Sequence, residues 1–271
     1  MLGAAEIREL AGKLEIRPTK KLGQNFVIDP NTIHRIVTAS QISAEDTVVE
    51  IGPGLGSLTL GLLETADKVV AVEIDPKLAA ELPATVARHL PEKKLELVLA
   101  DALQIKSLPL NPTALVANLP YNISVPVLLH FLASFPSIKK GLVMVQAEVA
   151  HRLAAQPGGK EYGSPSLKLA WYGPARLAGN VGRNVFWPAP NVDSALVYFE
   201  TGAERTADRK DVFAVIDAAF AQRRKTLRQA LSGWAGSAIK SEEILVRAGV
   251  DPRTRGEELR IDQFIAIAEA K

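Results

Sequence analysis

Five apolar, largely β-branched runs recur between residues 46 and 146: TVVEI from 47, KVVAVEI from 68, LELVLA from 95, ALVAN from 114 and GLVMVQ from 141. Stretches of helical character separate them, at about 55–64, 76–90 and 125–135, and a short helix opened by Pro30-Asn31 precedes them over about 31–40. Strands that are apolar along their whole length must be covered on both faces. Helices between consecutive strands supply that cover, so the pattern predicts an α/β fold with a mostly parallel sheet. Later, GNVGRNVFWPAPNVDSALVYFE reads as extended strands, and the sheet is expected to end in a late antiparallel hairpin. QPGGKEYGSPS, 156–166, reads as a loop. Composition turns polar around TGAERTADRK, 201–210, and the pattern beyond it is helical, with breaks at GWAGS and GVDPRTRG. A domain boundary is placed near residue 204, which gives an α/β domain over 1–204 and a small all-α domain over 205–271. A chain of 271 residues can support both.

The first strand runs into VVEIGPGLGSLTL, a strand, a G-x-G-x-G turn at Gly52, Gly54 and Gly56, then a helix. Glycines there let the chain reverse tightly and let a ligand approach the backbone, at the sheet edge where open α/β folds bind ligands. Glu73 ends the second strand, where an acid can take ribose hydroxyls. Asp101 follows the third, where a carboxylate can read an adenine amino group. The glycine spacing, with Glu50 before it and Pro53 inside it, departs from that of pyrophosphate binders, and Pro53 removes a backbone donor that a phosphate cradle would use. The set fits a nucleoside without phosphates, S-adenosylmethionine. Taken singly, Glu73 and Asp101 could each be a helix cap.

The fourth strand stops on NLPYNIS, 118–124. The Asn118 side-chain oxygen and the Leu119 carbonyl, held by Pro120, are two acceptors that can converge on an exocyclic amine. Tyr121 offers a face on which a base can stack, worth roughly 1–3 kcal/mol, comparable to the few kcal/mol needed to take a base out of its stack. A sulfonium methyl is a strong electrophile, so positioning can do most of the catalysis and no general base is required. As an isolated motif, the corner could also be a plain strand-to-helix turn. The residues alone thus point to an S-adenosylmethionine-dependent N-methyltransferase acting on a flat exocyclic amine.

In order along the chain, KKLGQNFVID (20–29), VEIGPGLGSLT (49–59), VVAVEID (69–75), NLPYNIS, VFWPAPNVDSALV (185–197) and QRRKTLRQAL (222–231) resemble the blocks of the KsgA (RsmA) ribosomal RNA adenine dimethyltransferases. PGGKEYG and GEELRIDQFIAIA match as well, so the resemblance covers nearly the whole chain. The match is weakest at Pro165 and in the alanine-rich surface helices. The resemblance implies a Rossmann-like methyltransferase fold with a seven-stranded sheet. It implies that Asn25, Val27 and Gly52 close over the methionine end of the cofactor, with Gly54 in the same turn. Glu73 would take the ribose, Asp101 the adenine, and Asn118 would lie between cofactor and target. Asn118 and Leu119 would grip the target N6, with Pro120 fixing their aim, while Tyr121 and Phe186 sandwich the base. The implied reaction puts two methyls on each of two adjacent adenines in the 3′-terminal hairpin loop of 16S rRNA, within an assembling 30S subunit. Arg223, Arg224, Lys225 and Arg228 would contact the rRNA backbone, and the family habit is monomeric.

Other classes are less well supported. The net charge of +2 barely favours a polyanion, and Lys20-Lys21 or the run at 223–225 could be solvated surface. Absence of cysteine excludes disulfides and thiolate chemistry and fits a cytoplasmic location. No apolar run approaches the ~20 residues of a membrane span, and the N-terminus has no signal-like segment. The four histidines are scattered, so no metal is expected, and Ser57 and Ser194 lack a nucleophile-elbow context. The remaining alternatives are a 23S rRNA methyltransferase of the antibiotic-resistance type, a non-catalytic assembly or transcription factor on the same fold, and a dehydrogenase.

Overall fold

The computed structural model describes residues 1–16 and 25–271; Lys20 and Lys21 lie outside them. Its strands are β1 (Phe26–Val27), β2 (Thr47–Ile51), β3 (Lys68–Glu73), β4 (Leu95–Leu99), β5 (Ala114–Asn118), β6 (Lys140–Gln146), β7 (Ala175–Val181), β8 (Phe186–Trp187) and β9 (Ser194–Glu200). The five apolar runs become β2 to β6, each within a residue of its expected bounds. They form the parallel part of a seven-stranded sheet of order β4-β3-β2-β5-β6-β9-β7, with β9 antiparallel to β6. Successive residues of a strand point to opposite faces. Val48, Val69, Val116 and Leu142 pack on one face with Ile33, Ile36, Leu60 and Leu63. The alternate residues Val49, Val70, Leu115 and Val143 are equally buried. Both faces are therefore covered, which is why these strands read as unbroken apolar runs.

The helices of this part are α1 (Ala4–Lys13), α2 (Pro30–Ser40), α3 (Ser57–Thr65), α4 (Pro76–His89) and α5 (Ser124–Ser134). Two of them start on Asp-Pro: Asp29 and Asp75 accept backbone N–H bonds from Thr32 and Lys77, and the proline fills the first helical position, where no donor is missed. Helix α1 is not anticipated in the reading above, although Ile7, Leu10 and Ala11 carry its buried stripe. Strands β1 and β8 form a separate antiparallel pair, Phe26 opposite Trp187 and Val27 opposite Phe186.

The remaining helices are α6 (Ala147–Leu153), α7 (Ser164–Ala170), α8 (Arg209–Ala221), α9 (Leu227–Ala230), α10 (Ser232–Ala235), α11 (Ala238–Arg247) and α12 (Ile261–Glu269). The expected loop over 156–166 therefore ends earlier, and Pro165 lies in the first turn of α7, a position proline tolerates. The chain divides into two units, Met1–Ala150 with Arg176–Thr201, and His151–Ala175 with Gly202–Lys271. A single boundary near 204 thus becomes three crossings. The segment before β7 joins the helical unit because Tyr162, Leu167 and Trp171 are buried in one cluster with Val212, Val215, Ile216, Leu245 and Phe264.

Candidate active site

The sheet order reverses direction between β2 and β5, the neighbours from which the chain runs outward on either side. Their loops diverge there and leave a crevice at the carboxyl ends of the strands. Their register pairs Val48 with Ala114 and Val49 with Leu115. Carried three residues further with the same offset of 66 (114 − 48), it sets Gly52 across from Asn118. The glycine turn and the Asn-Leu-Pro-Tyr corner are brought together by this one ladder. Asn25, Val27, Gly52, Gly54, Glu73, Asp101, Asn118 and Pro120 all line one pocket, with about 920 Å³ of space when its open mouth is included.

All three glycines of the turn have positive φ, +68° at Gly52, +59° at Gly54 and +97° at Gly56. A Cβ at Gly54 would lie 2.8 Å from Cε1 of Phe26, so that wall closes only over hydrogen. A Cβ at Gly52 would meet nothing within 4 Å, which leaves room for a ligand at the backbone. The three glycine amides of the turn are already engaged: Gly52 N–H donates to Val72 O, Gly54 N–H to Glu73 Oε2, and Gly56 N–H to Pro53 O. With Pro53 lacking a donor, these residues have no N–H to offer a phosphate. The buried Ser57 Oγ, on the pocket wall, has no partner among the described residues. A nucleoside with polar groups and no phosphate fits this lining.

Three carboxyl groups line the pocket, Glu50, Glu73 and Asp101. Glu73 Oε1 accepts from Ile74 and Asp75 N–H at 2.9 Å, and Oε2 accepts from Gly54 N–H at 3.1 Å. Of roughly four lone-pair sites on a carboxylate, the free one that remains is on Oε2. Burial raises the affinity of Glu73 for its proton, and the three backbone bonds oppose that shift. The cap of α4 is Asp75, so Glu73 is not a helix cap. Asp101 does serve locally, accepting from Leu103 N–H at 2.9 Å through Oδ1. Glu50, noted above only as part of the glycine motif, is 1% exposed and takes one hydrogen bond, from Thr59 Oγ1 at 2.6 Å. Burial pushes its carboxyl up to about 8, and the nearby Glu73 adds to the effect. No Lys or Arg is among the described residues of the lining, so the pocket favours a cationic ligand.

Asn118 donates through Nδ2 to the Asn25 carbonyl at 3.1 Å. A carbonyl can only accept, so this bond fixes which way the amide faces and leaves Oδ1 as an acceptor without a partner among the described residues. Leu119 is buried, and its N–H donates to Met144 O at 3.0 Å, which ties the corner to β6. Tyr121 is half-buried, its hydroxyl 2.7 Å from Ser194 Oγ, and burial raises its phenol above the ordinary value. Val27 and Phe186, paired across β1 and β8, are 4% and 3% exposed. Phe186 therefore has no open face for a base in this conformation. Trp187 beside it is partly exposed and stacks on Phe26, centroids 6.3 Å apart.

In the second unit the basic run is not uniform. Arg223 Nε donates to Glu257 at 2.7 Å, and its NH2 donates to the Lys160 carbonyl at 2.7 Å, so it braces the PGGKEYG loop. Arg228 pairs with Glu242 at 2.6 Å. Arg224 and Lys225 are exposed and make no ion pair among the described residues. A run of like charges carries no mark of which members a distant glutamate neutralises. Also among the described residues, no cluster of His, Asp and Glu is placed to hold a metal ion, and no helix is long and apolar enough to cross a membrane.

The ribosomal RNA adenine dimethylase family matches residues 16–271. Ribosomal RNA small subunit methyltransferase A of Arthrobacter sp. (strain FB24) is 62% identical over 275 residues, covering 100% of this chain and 93% of its own. Among solved structures, a dimethyladenosine transferase from Plasmodium falciparum is similar with a TM-score of 0.76 and 24% identity, over 88% of this chain and 94% of that one. The 23S rRNA methyltransferase ErmE is similar with a TM-score of 0.67 and 27% identity, over 91% and 99% of the two chains.

Proposed function

The chain belongs to the ribosomal RNA adenine dimethylase family, and from that premise we propose that it dimethylates adenine N6 in small-subunit rRNA. The target in this reading is a pair of adjacent adenosines in the 3′-terminal hairpin loop of 16S rRNA, within an assembling 30S subunit, and the enzyme works as a cytoplasmic monomer. The observation that carries it is the Asn118 amide, whose nitrogen is held by Asn25 so that its oxygen is left to accept. Oδ1 and the Leu119 carbonyl take the two N–H bonds of the amine, and drawing on both helps its nitrogen lone pair leave conjugation with the ring. Pro120 fixes the spacing of the two acceptors, and Tyr121 stacks on the extruded base. S-adenosylmethionine, when bound, supplies an electrophilic sulfonium methyl. Glu73 offers its remaining Oε2 lone pair to the ribose, Asp101 its Oδ2 to the adenine, and Asn25, Val27, Gly52 and Gly54 line the methionine end. Arg224 and Lys225 are the members of the basic run left to meet the rRNA backbone, whereas Arg223 and Arg228 are committed to Glu257 and Glu242.

The test offers labelled S-adenosylmethionine with unmethylated 30S subunits, 50S subunits and naked 16S rRNA. Label is expected on the 30S particle, in small-subunit rRNA. Label on the 50S particle alone would assign the chain to the 23S-modifying type instead.

A further inference from the structure

Tyr121 sits in the irregular corner after β5, where no ladder fixes its side chain. Its ring is nonetheless held at the far end, the hydroxyl 2.7 Å from Ser194 Oγ, across 73 positions of sequence. Ser194 is the first residue of β9, paired with Gln146 in the β6 ladder and 0% exposed. Its backbone is thus fixed by the sheet and its side chain by packing. The turn before it is braced too: Asp193 accepts Arg183 N–H through Oδ1 at 3.0 Å and Ala147 N–H through its carbonyl at 3.0 Å. The Tyr121 oxygen lies on the axis about which its ring flips, so the bond fixes where the ring points and leaves the flip free. At its base, the corner is pinned by the Leu119 N–H bond to Met144 and the Asn118 bond to Asn25. The ring is therefore held at both ends before any base arrives.

We propose that Ser194 is a positioning residue for methyl transfer, its buried hydroxyl aiming the Tyr121 ring so that one face is ready for the target base. This rests on the reading that Tyr121 receives that base. Holding the ring in advance removes an ordering cost that the RNA would otherwise meet on binding. The phenol, kept protonated by its burial, holds this bond throughout the neutral range and does not act as a base.

The test compares Ser194→Ala, Tyr121→Phe, the double variant and Tyr121→Ala in the full chain, with 30S subunits as substrate. Each of the first two removes the same bond, and kcat/KM for the subunit is expected to fall about 3- to 10-fold, the scale of one net hydrogen bond. The double variant should fall no further than either single one, and S-adenosylhomocysteine affinity by calorimetry should not change. Tyr121→Ala should fall further than any of them. If Tyr121→Ala retains full activity, the base-stacking reading itself fails. If it loses activity while Tyr121→Phe keeps the parent value, the positioning role of Ser194 fails alone. Losses that add in the double variant, or that extend to S-adenosylhomocysteine binding, overturn it equally. Should Ser194→Ala not fold, Tyr121→Phe decides between these outcomes, since it alters only a half-exposed ring.

Discussion

Glu50 should make the protein less stable as pH rises through neutrality, and replacing it with glutamine should remove that slope. The carboxyl is fully buried with a single hydrogen bond from Thr59, and burial lifts it from 4.5 to about 8. Between those values the folded protein keeps a proton that the unfolded chain has lost. The folded state binds more protons, so stability falls as pH rises through the window and levels off above it. Each pH unit is worth about 1.4 kcal/mol, so the loss from pH 5 to 7.5 is on the order of 3 kcal/mol. Glu50→Gln keeps an oxygen to accept the Thr59 hydroxyl but adds amide N–H groups that need partners, so its stability at one pH is a poor readout. The slope is the clean one, because Glu73 and every other titrating group stay common to both proteins. Urea unfolding followed by circular dichroism between pH 5 and 8 should show the variant gaining on the parent by about 1.4 kcal/mol per unit. Parallel stability curves would refute the argument and mean that Glu50 is ionised in the folded state.

Asn118→Ala should lower the rate of transfer about 100-fold or more, since the proposed mechanism aims its acceptor oxygen at the reacting amine, while S-adenosylhomocysteine affinity falls modestly; an unimpaired rate in single-turnover assays would overturn that role. Replacing Arg224 and Lys225 with Gln should reduce the slope of log affinity against log salt for subunit binding by about 1.4 to 1.8. Arg223→Gln, in contrast, removes the brace to Glu257 and Lys160 and should lower the melting temperature by about 2–4 °C. A changed salt slope with an unchanged melt would return Arg223 to the RNA-contacting set. Gly54→Ala strains a φ of +59° and forces Phe26 to move, so cofactor affinity by calorimetry should drop about tenfold; undiminished affinity would show that the Phe26 wall yields freely.

The central sheet was legible because strands buried on both faces leave an unambiguous local trace, and TVVEI, ALVAN and their partners have no other reading that buries them. The acids and the amide at the strand ends stand out for the same reason, since each follows an apolar run. Contacts between distant segments were not. The β1–β8 pair has two residues on each side and joins Phe26 to Trp187, too short for any period and too far apart for a turn signal. The burial of Phe186 follows from that pair and was hidden with it. The seven residues of α7 are too few to show an amphipathic pattern, so nothing local tied Leu167 and Trp171 to the helical unit. Glu50 was visible but looked like part of the glycine motif, because only the closed structure shows how little solvates it.

The three crossings between units have a bearing on modularity. A fragment cut at the polar stretch near residue 204 would carry α8 to α12 without Tyr162, Leu167 and Trp171, and so without part of its own interior. The helical unit is a composite of an insertion and a tail, and neither piece is a transplantable cassette. Chimeras between relatives that exchange the helical unit would need to swap 151–175 and 202–271 together, with the β7–β9 segment left in place between them.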